Sequence, residues 1–264
     1  MAIDALAVVA QGAAISSEDV QIGPYAIIED GVMIGPGVKV WPHAYIAKGT
    51  EIGEGTEVHM GAVIGHTPQD FGHEGGESFV KIGKRNIIRE YTTIHRGTKN
   101  GSATIIGDDN FFMVSSHVGH NCEIGNKVIV SNGALLAGYI QVEDMAFISG
   151  NVVIHQFCRI GKLAMIGGFS GVNKDVPPFM LVRGPSMVRS VNLVGLRRAG
   201  FSNKLIGQVK EAFRTIYRSG FNTTQAIEKL RSGDQPPEVR HLVEFVERSR
   251  RGICDAKNID DTFF

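Results

Sequence analysis

An aliphatic or phenylalanine side chain returns every sixth residue from Ile22 to Val172: of the 26 positions in that register, 23 hold Ile, Val, Leu or Phe. The three misses, Asp70, Gly76 and Asn100, fall inside two polar interruptions at about 65–78 and 96–104. An α-helix repeats its apolar residues every three to four positions and a half-exposed strand every two, so neither yields a strict six. A chain that turns a corner every six residues does. Three hexads then close one triangular coil of 18 residues, with the aliphatic residue of each pointing inward and glycine easing the corner. Successive coils stack as parallel strands about 4.8 Å apart, each covering the apolar interior of the next. The period leaves the hand of the coil open, although parallel crossovers are normally right-handed.

At 264 residues, 43% of them hydrophobic, the chain can bury a large core. Lys+Arg and Asp+Glu both total 27, which gives no argument for a nucleic-acid partner. The charge is unevenly spread, since residues 193–264 hold 13 basic and 9 acidic side chains. Cys122, Cys158 and Cys254 are odd in number and form no CxxC pair, which argues against a disulfide framework and fits a reducing, cytoplasmic setting. The leading segment carries Asp4 in its apolar part and lacks a cationic start, unlike a signal peptide. No apolar run is long enough for a transmembrane segment.

The repeat breaks at DVPPF (175–179), because proline cannot continue a ladder. A mainly β domain over 1–185, followed after a link at about 180–195 by an α-helical domain over 190–264, is the expected organisation. Ser202 is a candidate N-cap for a helix that ends at Gly220, with Leu205, Val209, Phe213, Ile216 and Tyr217 on one face. Asn222/Thr223 open a second helix and Pro236-Pro237 a third, and the tail after Gly252 is expected to fray. These helices would cap one open end of the prism. The interruption 65–78, GHTPQDFGHEGGES, is too polar for the core and must loop outward, where loops carry function. The shorter RGTKNGSAT (96–104) reads as a turn.

Within the segment HVGHNCEIGN (117–126), two histidines stand where a valine would pack better. His120 lies two residues after the inward Val118 and so points outward; one coil of 18 residues places Gly138 above it and Gln156 above that. His117, Tyr139 and His155 join the same outward patch. Three chemistries fit. A zinc site would need three neutral imidazoles and an open position, but H-x-x-H leaves the third ligand undefined. A purely structural polar ladder is possible. General-base catalysis is favoured: an imidazole can take a proton from an attacking hydroxyl near neutral pH, while the Gly138 N–H one coil away holds a developing oxyanion. No serine or cysteine pairs with these rings, which favours direct transfer over a covalent intermediate.

The hexads together with TIHRGT (93–98), HVGHNCEIGN, LAGY (136–139), IHQFCRIG (154–161), AMIGGFSGV (164–172), DVPPF and NLVGLRRAGF (192–201) resemble the UDP-N-acetylglucosamine O-acyltransferases of lipid A synthesis, over almost the whole chain. That resemblance implies a left-handed parallel β-helix of hexapeptide repeats with a small C-terminal α-helical domain. It also implies a homotrimer with active sites between subunits, and no cofactor or metal. The expected reaction moves a 3-hydroxyacyl chain from an acyl carrier protein thioester to the 3-hydroxyl of the UDP-sugar. Carried over by motif, His120 is the general base and Gly138 the oxyanion donor. Asp70, His117, His155 and Gln156 line the cleft, with Tyr139 beside them; Asn192 and Arg198 lie near the nucleotide phosphates, and Gly168 stands where acyl length is gauged. Converting the 48 residues from His120 to Gly168 at about 4.8 Å per coil gives on the order of 13 Å, room for an acyl chain of about twelve to fourteen carbons.

Three departures bear on the chemistry. Asn121 follows the base where the family usually has Asp, Tyr139 replaces a histidine, and QDFGHEGG lacks the lysine that commonly follows QD-x. A neutral amide still orients an imidazole but stabilises the imidazolium less. A 3-amino sugar nucleotide, which needs less activation, is therefore a second candidate acceptor. A non-catalytic β-helix platform is a third reading. The sister N-acyltransferases carry an added N-terminal domain, whereas here the hexads begin near residue 15. The cationic C-terminal region, with Arg197, Arg198, Arg248, Arg250 and Arg251, could draw in an acidic carrier protein.

Overall fold

The computed structural model describes residues 1–256. Up to Val172 it is a left-handed parallel β-helix of short strands, most of two residues, running from Ala2–Ile3 to Gly171–Val172. Three sheets of 11, 9 and 8 strands form the faces of the prism. Strand partners lie eighteen residues apart, as in Gln21↔Lys39↔Glu57 and His117↔Leu135↔Val153. Across the interruptions the spacing grows to thirty (Val63↔Thr93) and then twenty-four (Thr93↔His117). Both additions are multiples of six, so the inward register survives each loop without a phase change.

The prism starts earlier than the register suggests. Ala2–Ile3, Val8–Val9 and Ala14–Ile15 make a first coil whose partners are nineteen residues on, Ala2↔Gln21 and Val8↔Ile27. One extra residue in SSEDV (16–20), where Asp19 takes φ +49°, shifts the phase and hides this coil from a step of six. The expected start near residue 15 is thus corrected to residue 2.

Inward residues such as Ile46, Ile64, Phe112, Leu136 and Ile154 are fully buried and belong to one continuous core that reaches Cys254. Each contributes roughly 1.5–3 kcal/mol of transfer free energy, most of it offset by the entropy of the ordered chain. The corners are made differently from expectation. The third residue after most inward ones takes positive φ, and although this is glycine at Gly31 and Gly37, it is Tyr25 and His43 elsewhere early in the chain and Lys127, Tyr139, Phe157 and Phe169 later. The glycine directly after the inward residue serves stacking instead: a Cβ on Gly107 would lie 2.7 Å from the Gly125 carbonyl oxygen of the next coil.

The segment at 180–195 is more than a link. Val176 still bridges to Ile160 in parallel, Met180–Arg183 adds to Met165–Ile166 in parallel, and the chain then returns as the antiparallel strand Met187–Val191. Helix α1 (Leu193–Arg198) follows, then α2 (Asn203–Tyr217), α3 (Thr223–Arg231) and α4 (Pro237–Glu247). The Ser202 hydroxyl caps α2 by accepting from Leu205 N–H at 3.2 Å, and Asn222 with Gln225 forms a capping box on α3. The helices dock through specific contacts. Arg159 donates to the Phe245 carbonyl at 3.1 Å with its guanidinium 4.0 Å over the Phe245 ring, and Ser249 donates to the buried Asp175 carboxylate at 2.8 Å. Residues just past Gly252 do not fray: Ile253 and Asp255 bridge to Asp175 and Met187, and Cys254 is buried. The last eight residues of the tail lie outside the described ones.

Candidate active site

Both interruptions leave the prism at one edge, between the nine-stranded and eight-stranded sheets. The first connects Val63–His66 to Phe79–Ile82 and the second connects Thr93–His95 to Ala103–Ile106. Val118 to Glu123 turns the same corner one coil later, and Leu136 to Gln141 the next. Hexad stacking therefore brings His95, His120, Gly138 and Gln156 to a single edge, and the two loops fold over it.

His120 is 4% exposed and its two ring nitrogens meet two different oxygens. Nδ1 lies 3.1 Å from Asn121 Oδ1, and Nε2 lies 3.1 Å from Asp70 Oδ2, delivered by the first loop. Asp70 is itself braced, its Oδ1 accepting from Gly72 N–H at 2.7 Å. The imidazole packs face-on to Gly138, where a Cβ would come within 2.5 Å of Nε2 and 2.9 Å of Nδ1. Glycine is required here by the ring, not by backbone conformation. No acceptor among the described residues meets the Gly138 N–H.

Tyr139 sets its ring edge-on to His120 at 5.2 Å, stacks on Phe157 at 4.9 Å and brings its hydroxyl 2.9 Å from Thr98 Oγ1. His117, half-buried on the adjoining strand, holds Thr93 Oγ1 at 2.7 Å through Nδ1 and meets the His95 ring edge-on at 5.0 Å. Burial depresses the His117 pKa, and the neighbouring His120 adds to the effect. Burial pushes His95 down to about 4, with the His117 charge second, so this ring is neutral at physiological pH. Its Nδ1 is buried without a hydrogen-bond partner.

Asp70, His117, His120, Gly138 and Tyr139 thus come together as the sequence predicts. His155 and Gln156 lie on the same edge one coil further; His155 is exposed, with Nδ1 3.2 Å from the Gln156 carbonyl. Three expected residues do not join them in one chain. Gly168 follows Met165–Ile166 of the 11-stranded sheet and so sits on another edge of the prism. Its 48-residue separation from His120 is not a whole number of coils, so the length drawn from it is a height along the prism and not a span along one edge of a single chain. Asn192 is buried and spent as a helix cap, accepting from Gly195 N–H at 3.0 Å and donating to the Leu163 carbonyl at 2.9 Å. Arg198 is exposed at the end of α1.

Sequence reasoning missed His95 and Thr98, although both lie in TIHRGT. Thr98 belongs to the second interruption, which is a working part of the edge and not a plain turn. The backbone N–H and hydroxyl of Thr98 both donate to Asn121 Oδ1, at 2.9 and 3.0 Å, and its carbonyl lies 2.9 Å from His73 Nδ1. A residue that touches both loops and the corner after His120 leaves no periodic mark. Among the described residues no three His, Cys, Asp or Glu side chains converge as a metal-ligand set.

A hexapeptide prism with an oriented imidazole against an outward-facing glycine amide defines a hexapeptide-repeat acyltransferase. Residues 17–48, 33–66 and 103–138 match the bacterial transferase hexapeptide model, and 175–254 match domain 2 of UDP N-acetylglucosamine O-acyltransferase. The acyl-[acyl-carrier-protein]–UDP-N-acetylglucosamine O-acyltransferase of Thermodesulfovibrio yellowstonii is 48% identical over 240 residues, 90% of this chain and 93% of that protein. Its Synechocystis counterpart is 50% identical over 206 residues, 76% of this chain and 75% of that one. The solved UDP-N-acetylglucosamine acyltransferase of Francisella novicida superposes with a TM-score of 0.93 at 36% identity, covering 97% of this chain and 95% of that one. That of Bacteroides fragilis gives 0.91 at 41% identity, with 95% and 99% covered. The chain belongs to the UDP-N-acetylglucosamine O-acyltransferase family.

Proposed function

We propose that this chain transfers a 3-hydroxyacyl group from acyl carrier protein to the 3-hydroxyl of UDP-N-acetylglucosamine, the first step of lipid A biosynthesis, with His120 as the general base. The observation that carries the reading is the pair of oxygens on the His120 ring. Asn121 Oδ1 can accept only from a protonated Nδ1, so Nε2 is the atom that exchanges a proton on the side where Asp70 stands: it donates to the Asp70 carboxylate while protonated and is the base once that proton has left. A sugar hydroxyl that replaces or shares the Asp70 contact gives its proton to Nε2 as its oxygen attacks the thioester carbonyl. The Gly138 N–H stabilises the resulting oxyanion. Collapse of the tetrahedral intermediate expels the carrier thiolate, which takes up the proton held by the imidazole. No cofactor enters this scheme.

His117, Tyr139, His155 and Gln156 would line the sugar cleft. Gly168 and Arg198 lie off the His120 edge, so their assigned contacts require a neighbouring subunit, which favours a homotrimer with shared sites. Exposed Arg197, Arg198 and Arg250 offer a cationic approach for an acidic carrier. Three free cysteines favour a cytoplasmic setting. The decisive experiment is turnover of acyl carrier protein thioesters by His120→Ala. Retention of full activity in a folded variant would remove the base and favour a non-catalytic platform. The 3-amino analogue remains a second acceptor because the neutral Asn121 stands beside the base; faster turnover of the plain hydroxyl sugar eliminates it.

A further inference from the structure

The geometry points to Thr98 and Tyr139 as positioning residues that fix which nitrogen of His120 carries its proton, by fixing the direction of the Asn121 amide. This inference rests on the general-base reading given above. An asparagine side chain has an oxygen at one end and an NH2 at the other, and either end can face a neighbouring imidazole. Facing His120 with oxygen fixes a proton on Nδ1 and leaves Nε2, beside the Asp70 carboxylate, as the atom that gains or gives up a proton; facing it with NH2 would make Nδ1 the acceptor and fix the proton on Nε2, on the reacting side.

Two donors from Thr98 decide the orientation. The Thr98 backbone N–H can only donate, so the atom 2.9 Å from it is the amide oxygen. The Thr98 hydroxyl gives its single proton to the same oxygen at 3.0 Å. Because that proton is spent, the Tyr139 hydroxyl at 2.9 Å must donate to Thr98 Oγ1, which completes a directed chain from Tyr139 through Thr98 to Asn121. With the oxygen so placed, His120 Nδ1, 3.1 Å away, must carry a proton and donate to it. The Asn121 backbone is pinned independently: it occupies a corner with φ +58°, and its N–H donates to Thr104 Oγ1 at 2.8 Å. The side-chain torsions are left free, and the second loop fixes them. A carboxylate at position 121 has two equivalent oxygens and needs no such control, so the network answers a problem created by the asparagine itself.

The test is a double-mutant cycle read by kinetics and by 15N NMR of the His120 ring on the deprotonated side of its titration. Thr98→Val keeps the side-chain bulk but removes the hydroxyl, leaving one N–H to hold the amide. We expect kcat about tenfold lower, with KM for the sugar nucleotide changed less than about twofold, and Nδ1 losing proton occupancy. Thr98→Ser restores both signals. In the Asn121→Asp background the same Thr98→Val change should cost less than about threefold. An equal loss in both backgrounds, a serine variant as slow as the valine, or an unchanged Nδ1 signal overturns the inference. If His120→Ala keeps activity while Thr98→Val still moves the ring proton, the base assignment fails and the positioning role stands.

Discussion

Two edges of the prism are built from the same hexad and do opposite things with their outward N–H groups. On the edge between the eight- and 11-stranded sheets, a run of residues two places after the inward one has its N–H capped by a side chain from a neighbouring coil. Lys84 N–H donates to Asp108, Asp108 to Asn126 and Asn126 to Asp144, each at 2.7 Å. On the edge between the nine- and eight-stranded sheets, Lys48 N–H near the start is capped by Glu29 at 2.8 Å, but in the coils around the imidazole the equivalent residues are His120, Gly138 and Gln156, and among the described residues no protein acceptor meets their N–H groups. An edge that satisfies itself is a seam that stiffens the stack. An edge that leaves amides open, and spends its side chains on an imidazole and two covering loops, can receive a ligand.

The largest contrast is expected from removing one side chain on each edge. His120→Ala should lower kcat by roughly 10²–10⁴-fold with little change in melting temperature. Asn126→Ala, which strips the cap from Asp108 N–H, should leave kcat unaltered and lower stability by about 0.5–1.5 kcal/mol. Thermal melts beside turnover assays check the pair, and a catalytic loss in Asn126→Ala would erase the distinction between the edges.

Glycine substitutions sharpen the same point at intermediate size. Gly138→Ala drives a methyl into a movable imidazole, so it should cost activity by on the order of tenfold or more with a small stability change. Gly107→Ala drives one into the Gly125 carbonyl and the Asn126 amide, which cannot yield, and should cost about 1–3 kcal/mol of stability with activity per folded enzyme retained. Urea titration and active-site-normalised rates separate the two.

The smallest expected effects are pH slopes of opposite sign. His95 is held neutral at the active edge, its pKa depressed from 6.5 to about 4. The unfolded chain therefore binds more protons between these values, and stability falls as pH drops from about 6.5 toward 4. His95→Gln should flatten that slope. Where α4 meets the prism, His241 hydrogen-bonds Glu143 at 2.7 Å and its pKa is raised, the bond to Glu143 being the main cause. Its contribution is complete below the unfolded value and disappears as pH rises through the raised one, so Glu143→Gln should lower stability more at pH 5 than at pH 8. Melting temperatures across this range read both, and slopes of one sign would contradict the assignment.

Much of this was legible from residue order. The inward column, the coil of eighteen and the neighbours His120 and Gly138 follow from a period of six, because the prism converts sequence distance into height by a fixed rule. Ser202 and Asn222 were readable as caps because capping is local. The first coil was hidden by one added residue, and the hairpin at 180–191 lay behind two prolines that halt the repeat but not the pairing. The role assigned to glycine was half right: the corners accept Tyr139 and Phe169, while the glycines of the I-G pairs yield space to the coil stacked against them. Asn192 carried a family role in the sequence, yet both ends of its side chain are occupied in the folded chain.

Residue order by itself set the architecture and the edge on which the imidazoles stand, since an inward aliphatic every six positions admits few other solutions. Only the tertiary structure decided how that edge is finished: Asp70 reaching Nε2, Thr98 aiming the Asn121 amide, Gly168 displaced to a different edge. Those outcomes depend on where two aperiodic loops land and on which end of a polar group a donor faces. Such choices are made by contacts between coils and loops, and no repeat in the chain encodes them.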